Sequence, residues 1–230
     1  MNAPRPARSA ARAADASTRP GRTPVAAASS APHEVRLIGG RLKRTPLPVL
    51  AWPGLRPTSG RVRETLFNWL GQDLSGWRVL DAFAGSGALG LEAASRGATD
   101  VVLLEREPRL ARHLQAQVTR LKLDGVGVTA ADALAWMARC ALQHPAGRFD
   151  LVFVDPPFDA DLFDAALQAA ASCVPPEGWI YLEAPHPLGH GAAKPLPAGL
   201  RLHRHGQAGA VHYHLIQRVD STPVAAAPDA

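Results

Sequence analysis

Long apolar runs are missing from the 230-residue sequence. No window approaches the roughly 18–20 apolar residues that cross a bilayer, so no membrane span is expected. The N-terminus has no apolar core of the secretory-signal type. Its Arg/Ser/Ala-rich, acid-poor character overlaps with that of organelle transit peptides. Cysteine is scarce: Cys140 and Cys173 lie far apart, with no C-x-x-C pair. That pattern indicates neither a zinc site nor a disulfide framework, and suits two semi-buried thiols in a reducing cytoplasm. The chain is long enough for one domain plus extras, with a core that needs no metal or disulfide.

Acids are nearly absent from the first part of the chain. Residues 1–63 hold twelve Lys/Arg against Asp15 and Glu34, a balance of +10. The remainder holds thirteen Lys/Arg and eighteen acids, a balance of −5. A basic N-terminal region on a mildly acidic body points to a polyanionic partner, most simply nucleic acid. Charge in a loose tail would only aid solubility.

Residues 1–32 and 219–230 contain few large apolar side chains and are expected to be disordered tails. VRLIGGRLKRTPLPVL (35–50) reads as a β-hairpin or extended arm. In RPTSGRVRETLFNWL, Thr58 or Ser59 can cap a helix whose apolar face is Val62, Leu66, Phe67, Trp69 and Leu70. Strands are then expected at 77–83, 100–105, 126–131, 149–155 and 178–184, with helices between them. Pro108 suits a first helical turn and Asp132 an N-cap. Two last strands near 200–205 and 211–218 close the domain. This alternation predicts an α/β fold with a doubly wound parallel sheet, whose ligands sit at the carboxyl ends of the strands.

FAGSGALG (83–90) places Gly85, Gly87 and Gly90 in the spacing G-x-G-x-x-G. These glycines admit NAD or S-adenosylmethionine equally, because they say only that a cofactor passes close to the backbone. The neighbouring acids separate the two. Asp81 ends the first strand; there it would repel a pyrophosphate but attract the ammonium of a methionine moiety. Glu105, twenty residues beyond Gly85, can bond ribose hydroxyls, and Asp132 can accept from an adenine amine. Each acid also has a plain structural reading, as turn, surface or cap residue.

VFVDPPFD (152–159) carries the sharpest signal. Pro156 and Pro157 stiffen the chain after a buried strand and leave the Pro156 carbonyl free to point outward. An exocyclic base amine is a poor nucleophile until it moves toward tetrahedral geometry. Asp155 and the Pro156 carbonyl can accept its hydrogens and stabilise the charge that develops. Phe158 can stack on the extruded base. The pattern predicts methyl transfer to an amine. An adenine-N6 or cytosine-N4 methyltransferase and an NAD-dependent oxidoreductase are the alternatives.

VRLIGGRLKR, LRPTSGRVRETLFNWL, LDAFAGSGALGLEAASRGA, VFVDPPF and GQAGAVHYHLIQR resemble, in that order, the bacterial 16S ribosomal RNA guanine-N2 methyltransferase family. The resemblance spans roughly residues 34–218. It implies a Rossmann-like, seven-stranded S-adenosylmethionine methyltransferase sheet with a small basic N-terminal extension. The implied substrate is a guanine amine of 16S rRNA in a partly assembled small subunit, modified in the cytoplasm by a monomer without metal. It also implies cofactor contacts from Asp81, Phe83, Gly85, Ser86, Gly87, Glu105, Asp132 and Ala133, and catalysis by Asp155, Pro156, Pro157 and Phe158. Arg36, Arg41, Lys43, Arg44, Arg56, Arg61 and Arg63 are the implied RNA contacts. Residues 33–70 would then be an RNA-contacting arm and helix, and residues 71–218 the methyltransferase domain. His203, His205, His212 and His214 read as solvated or half-buried strand histidines rather than metal ligands.

Overall fold

The computed structural model describes residue 1 and residues 34–158, 162–189 and 195–219. Apart from residues 1 and 219, the two expected tails lie outside these. The chain opens with an antiparallel hairpin, β1 (Glu34–Arg36) and β2 (Pro46–Pro48), followed by α1 (Gly60–Trp69). Ser59 is the cap of α1: its hydroxyl accepts from the Val62 amide. Then come β3 (Arg78–Asp81), α2 (Ala88–Ser95), β4 (Asp100–Glu105), α3 (Pro108–Arg120), β5 (Val126–Ala130) and α4 (Ala133–Gln143). β6 (Leu151–Val154), α5 (Phe163–Ala171), β7 (Trp179–Ala184), β8 (Leu200–Ala208) and β9 (Val211–Arg218) complete the fold.

Strands β3 to β9 form one sheet in the order β5-β4-β3-β6-β7-β9-β8. β3 to β7 run parallel, as alternation with helices requires. The expectation of a parallel sheet stops there. β9 is antiparallel to β7 and to β8, and a tight turn at Gly209–Ala210 sets the direction of β9 against β8. The strand order reverses between β3 and β6, so the crevice for a ligand opens at their carboxyl ends.

Both faces of the sheet are covered. β6 is apolar and buried at all four positions, with Leu151 and Phe153 facing one core and Val152 and Val154 the other. α4 and α5 pack on the second core through Met137, Ala166, Leu167 and Ala170. The first core takes α1, α2 and α3, and it also takes Val35, Leu37 and Leu47 of the hairpin. The arm is therefore not a separate layer. At Gly40 (φ +69°) a Cβ would lie 1.8 Å from the Ser95 carbonyl oxygen, so only glycine permits the approach of arm to α2. Beside it, the Arg41 amide donates to that carbonyl at 2.7 Å and the Leu42 amide to the Ser95 hydroxyl at 3.0 Å.

Candidate active site

β3 delivers Asp81 to the head of the crevice, and the chain then turns through Gly85 (φ +49°) and Gly87 (φ +77°) into α2. Asp81 is only 2% exposed, and its carboxylate accepts from the Gly90 amide at 2.9 Å. Burial pushes its carboxyl up to about 7. The charge of Glu105 adds to the rise, and amide donation from Gly90 and Phe83 opposes it. Such a group is short of positive charge, and an ammonium bound beside it supplies what it lacks. Glu105, at the end of β4, accepts from the Gly85 amide at 3.0 Å and the Glu107 amide at 2.7 Å. It thus braces the glycine loop from the end of the neighbouring strand. Ser86 and Ala133 are buried and Phe83 is half-buried. Asp132 is exposed and caps α4, one oxygen accepting from the Ala135 amide at 2.9 Å. The described structure shows this capping role and no other for Asp132.

Asp155 lies one residue beyond β6 and is half-buried, Pro156 is buried, and Pro157 and Phe158 are exposed. Burial raises the Asp155 carboxyl well above the carboxylate range, and the charges of Glu183 and Asp81 raise it further. Asp155 and Asp81 therefore share one electrostatic environment, as a common crevice requires. Phe158 is 42% exposed, and its ring meets Phe163 edge-on at 5.6 Å.

The basic arm is partly as expected. Arg36, Arg41, Lys43, Arg44, Arg56 and Arg61 are exposed, and Arg36, Lys43 and Arg44 line one concavity. Arg36 also pairs with Glu34 at 2.6 Å. Arg63 corrects the expectation. It is 2% exposed, and its guanidinium bonds Glu92 at 3.2 Å, the Arg36 carbonyl at 3.0 Å and the Thr58 carbonyl at 3.3 Å. It lies on the apolar face of α1 with Val62 and Leu66, so it cannot reach RNA.

Of the histidines, His203 and His205 are exposed and His212 half-buried. His214 is buried, accepting from the Leu188 amide and bonding the Leu182 carbonyl; burial lowers its value to about 4. Cys140 and Cys173 are both buried and free, and their side chains are hydrogen-bonded to each other.

Two acids matter that the motifs did not single out. Glu92 sits in an eight-residue helix buried at every position, and LGLEAAS offered it as the one charge in an apolar run. Glu183 is the penultimate residue of GWIYLEA and of β7, near the strand end as Asp81 and Glu105 are at theirs. Its carboxylate accepts from the Tyr181 hydroxyl at 2.8 Å and bonds the Thr58 side chain.

A family model described as conserved hypothetical protein 95 matches residues 35–217. The ribosomal RNA small subunit methyltransferase D of Escherichia coli strain K12 is 39% identical over 191 residues, 80% of this chain and 90% of that protein. The protein of the same name from Haemophilus influenzae is 37% identical over 194 residues, 82% of this chain and 96% of its own. A solved Escherichia coli structure assigned as a methyltransferase aligns with TM-score 0.69 at 38% identity, covering 81% of this chain and 98% of that one. Fold and site together define a methyltransferase of Rossmann-like architecture. The chain belongs to the family of conserved hypothetical protein 95 and the ribosomal RNA small subunit methyltransferases D.

Proposed function

We propose that this protein transfers a methyl group to the exocyclic N2 amine of a guanine in 16S rRNA, within a partly assembled small ribosomal subunit. The observation that carries the reading is the register of β3 and β6, with Asp81 opposite Phe153, which sets the buried Asp81 and the Asp155-Pro156-Pro157-Phe158 turn at the same end of adjacent strands. The names of the relatives support small-subunit rRNA as the substrate class. The methyl donor is S-adenosylmethionine, whose sulfonium supplies the methyl group and its own leaving group.

Asp81 and the Gly85–Gly87 backbone, with Phe83 and Ser86 alongside, hold the donor's methionine end. Glu105 holds its ribose, and Asp132 and Ala133 lie at its adenine. A pyrophosphate would meet the Asp81 carboxylate, which argues against a dinucleotide. Asp155 and the Pro156 carbonyl accept the hydrogens of the target amine and turn its lone pair toward the methyl group. Pro157 stiffens the turn. Phe158 stacks on the base, a contact worth about 1–3 kcal/mol. Positioning and preorganised acceptors supply the catalysis, so no covalent intermediate on the protein is needed. Residues 33–70 contact RNA through Arg36, Arg41, Lys43, Arg44, Arg56 and Arg61, and residues 71–218 carry the chemistry. The protein works in the cytoplasm as a monomer.

Mass spectrometry of 16S rRNA nucleosides from a deletion strain tests the reading. N2-methylguanosine at one site is expected to disappear and to return with the wild-type gene. Loss of a methyladenosine or methylcytidine instead would overturn it.

A further inference from the structure

β6 and β7 are parallel neighbours, with Phe153 opposite Tyr181 and Val154 opposite Leu182. Phe153 and Tyr181 touch edge-on at 6.1 Å, so they share a face of the sheet. Side chains two residues on project from that same face. Asp155 and Glu183 are those residues, and the charge of Glu183 raises the Asp155 carboxyl. Glu183 is 6% exposed.

We propose that Glu183 is a positioning residue that accepts, through Asp155, the proton released by methyl transfer. The inference rests on the amine-methylation reading above. Two hydroxyls, from Tyr181 and Thr58, are bonded to Glu183 and favour its ionised form. Among the described residues no such donor is bonded to Asp155, so in the resting pair Glu183 carries the charge and Asp155 the proton. The second oxygen of Asp155 remains free to accept an N–H of the target amine. As the N–C bond forms, the S–C bond breaks with its electron pair left on sulfur, and the nitrogen is left with one proton too many. That proton passes to the free oxygen of Asp155 while the proton already on Asp155 passes to Glu183. The positive charge lost by the sulfonium is matched by the negative charge lost by Glu183. No oxidant or reductant takes part.

The other groups around the pair fit this arrangement. Asp81 on β3 raises Asp155, and the Tyr213 ring on β9 lies across the strand pair from Glu183. Arg63 on α1 is committed to Glu92. His214 is committed to Leu182 and Leu188.

The test is the pH profile of single-turnover methylation of small-subunit particles from a deletion strain, with wild type and Glu183→Gln compared. With S-adenosylmethionine saturating at every pH, so that the Asp81 titration does not enter, the wild-type acid limb reports protonation of Glu183. In Glu183→Gln the acceptor is Asp155 alone, so the limb should move toward alkaline pH by about one unit or more. An acceptor Asp155 merely repelled by Glu183 would instead shift the limb toward acid, and a structural role would scale the profile without moving it. Either result overturns the proposal. Tyr181→Phe keeps the ring and removes one donor to Glu183; it too should move the limb to alkaline pH, which keeps the test open if Glu183→Gln misfolds. Infrared spectra of the cofactor-free protein near neutral pH should show protonated-carboxyl absorption, part of it from Asp81, of which Asp155→Asn removes a distinct share; persistence of the whole band overturns the resting state. The product nucleoside is read in the same wild-type samples. A product other than N2-methylguanosine rejects the guanine reading, while the limb shift judges Glu183 separately.

Discussion

Arg63 on α1 and Glu92 on α2 meet at 3.2 Å, with 3% and 0% of their side-chain surfaces exposed. Glu92 also binds Arg96 at 2.9 Å and accepts the Ile38 and Gly39 amides at 2.9 and 2.8 Å. One buried carboxylate thus ties the arm, the first helix and the helix that follows the glycine loop. Burial lowers Arg63 below the usual arginine value, and Glu92 opposes that shift. The arm's placement and the cofactor loop's placement are one structural problem.

Replacing Glu92 by alanine removes the shared acceptor of two buried guanidiniums, one buried amide and one half-buried amide. The expected loss is about 3–5 kcal/mol of stability, read from urea unfolding. A loss under about 1 kcal/mol would show that solvent reaches this network.

Asp81 predicts a pH dependence with a definite sign. Its folded value of about 7 lies above the ordinary 3.8, so the folded state holds the proton more tightly. Its carboxyl therefore favours the folded state at low pH, and that advantage is lost as pH rises from about 4 through about 7. Binding of the ammonium of S-adenosylmethionine needs the ionised form. Affinity measured by calorimetry should weaken about tenfold per pH unit below 7 and level off above it. Asp81→Asn should bind more weakly at every pH and with a flat profile. A sloping profile in that variant would assign the titration elsewhere.

Asp155→Ala should separate binding from chemistry. It lies beyond the glycine loop, so affinity for S-adenosylhomocysteine should stay within about threefold of wild type. Single-turnover methylation should fall by about 10²–10³-fold, the size seen when a preorganised transition-state partner is removed. Transfer at the wild-type rate would remove Asp155 from the mechanism.

The exposed arm predicts salt-dependent RNA binding. Each phosphate contact contributes about −0.7 to the slope of log K against log salt for single-stranded RNA. A triple substitution of Arg41, Lys43 and Arg44 by alanine should weaken binding and flatten the slope by up to about 2. Arg63→Lys should leave the slope unchanged and lower stability, because that side chain is buried. Filter binding across a salt series reads both.

Local pattern was enough for most of the fold. Alternating apolar runs, Pro108 at a first turn and Asp132 at a cap are properties of neighbours in sequence, and the structure forms those elements. The same holds for the crevice, since Asp81, Glu105 and Asp155 are legible as strand-end acids. Arg63 was misread because its near neighbours Arg56 and Arg61 are exposed, and charge counting cannot see that α1 turns Arg63 inward. Glu92 lies inside LDAFAGSGALGLEAASRGA and Glu183 outside every motif, and the partners that give each its role are distant in sequence.

By itself, the sequence determined the order of strands and helices, the glycine turn, the DPPF turn and the basic character of the arm. Each of these depends on steric and polar preferences within a few residues. Only the tertiary structure decided which charges are paired, which are exposed and which face one another. It turned β8 and β9 antiparallel, joined the arm to α2 through Glu92, brought Cys140 to Cys173 and set Glu183 beside Asp155. These contacts link residues far apart in the chain, and burial, which gives each its strength, exists only once the sheet has formed.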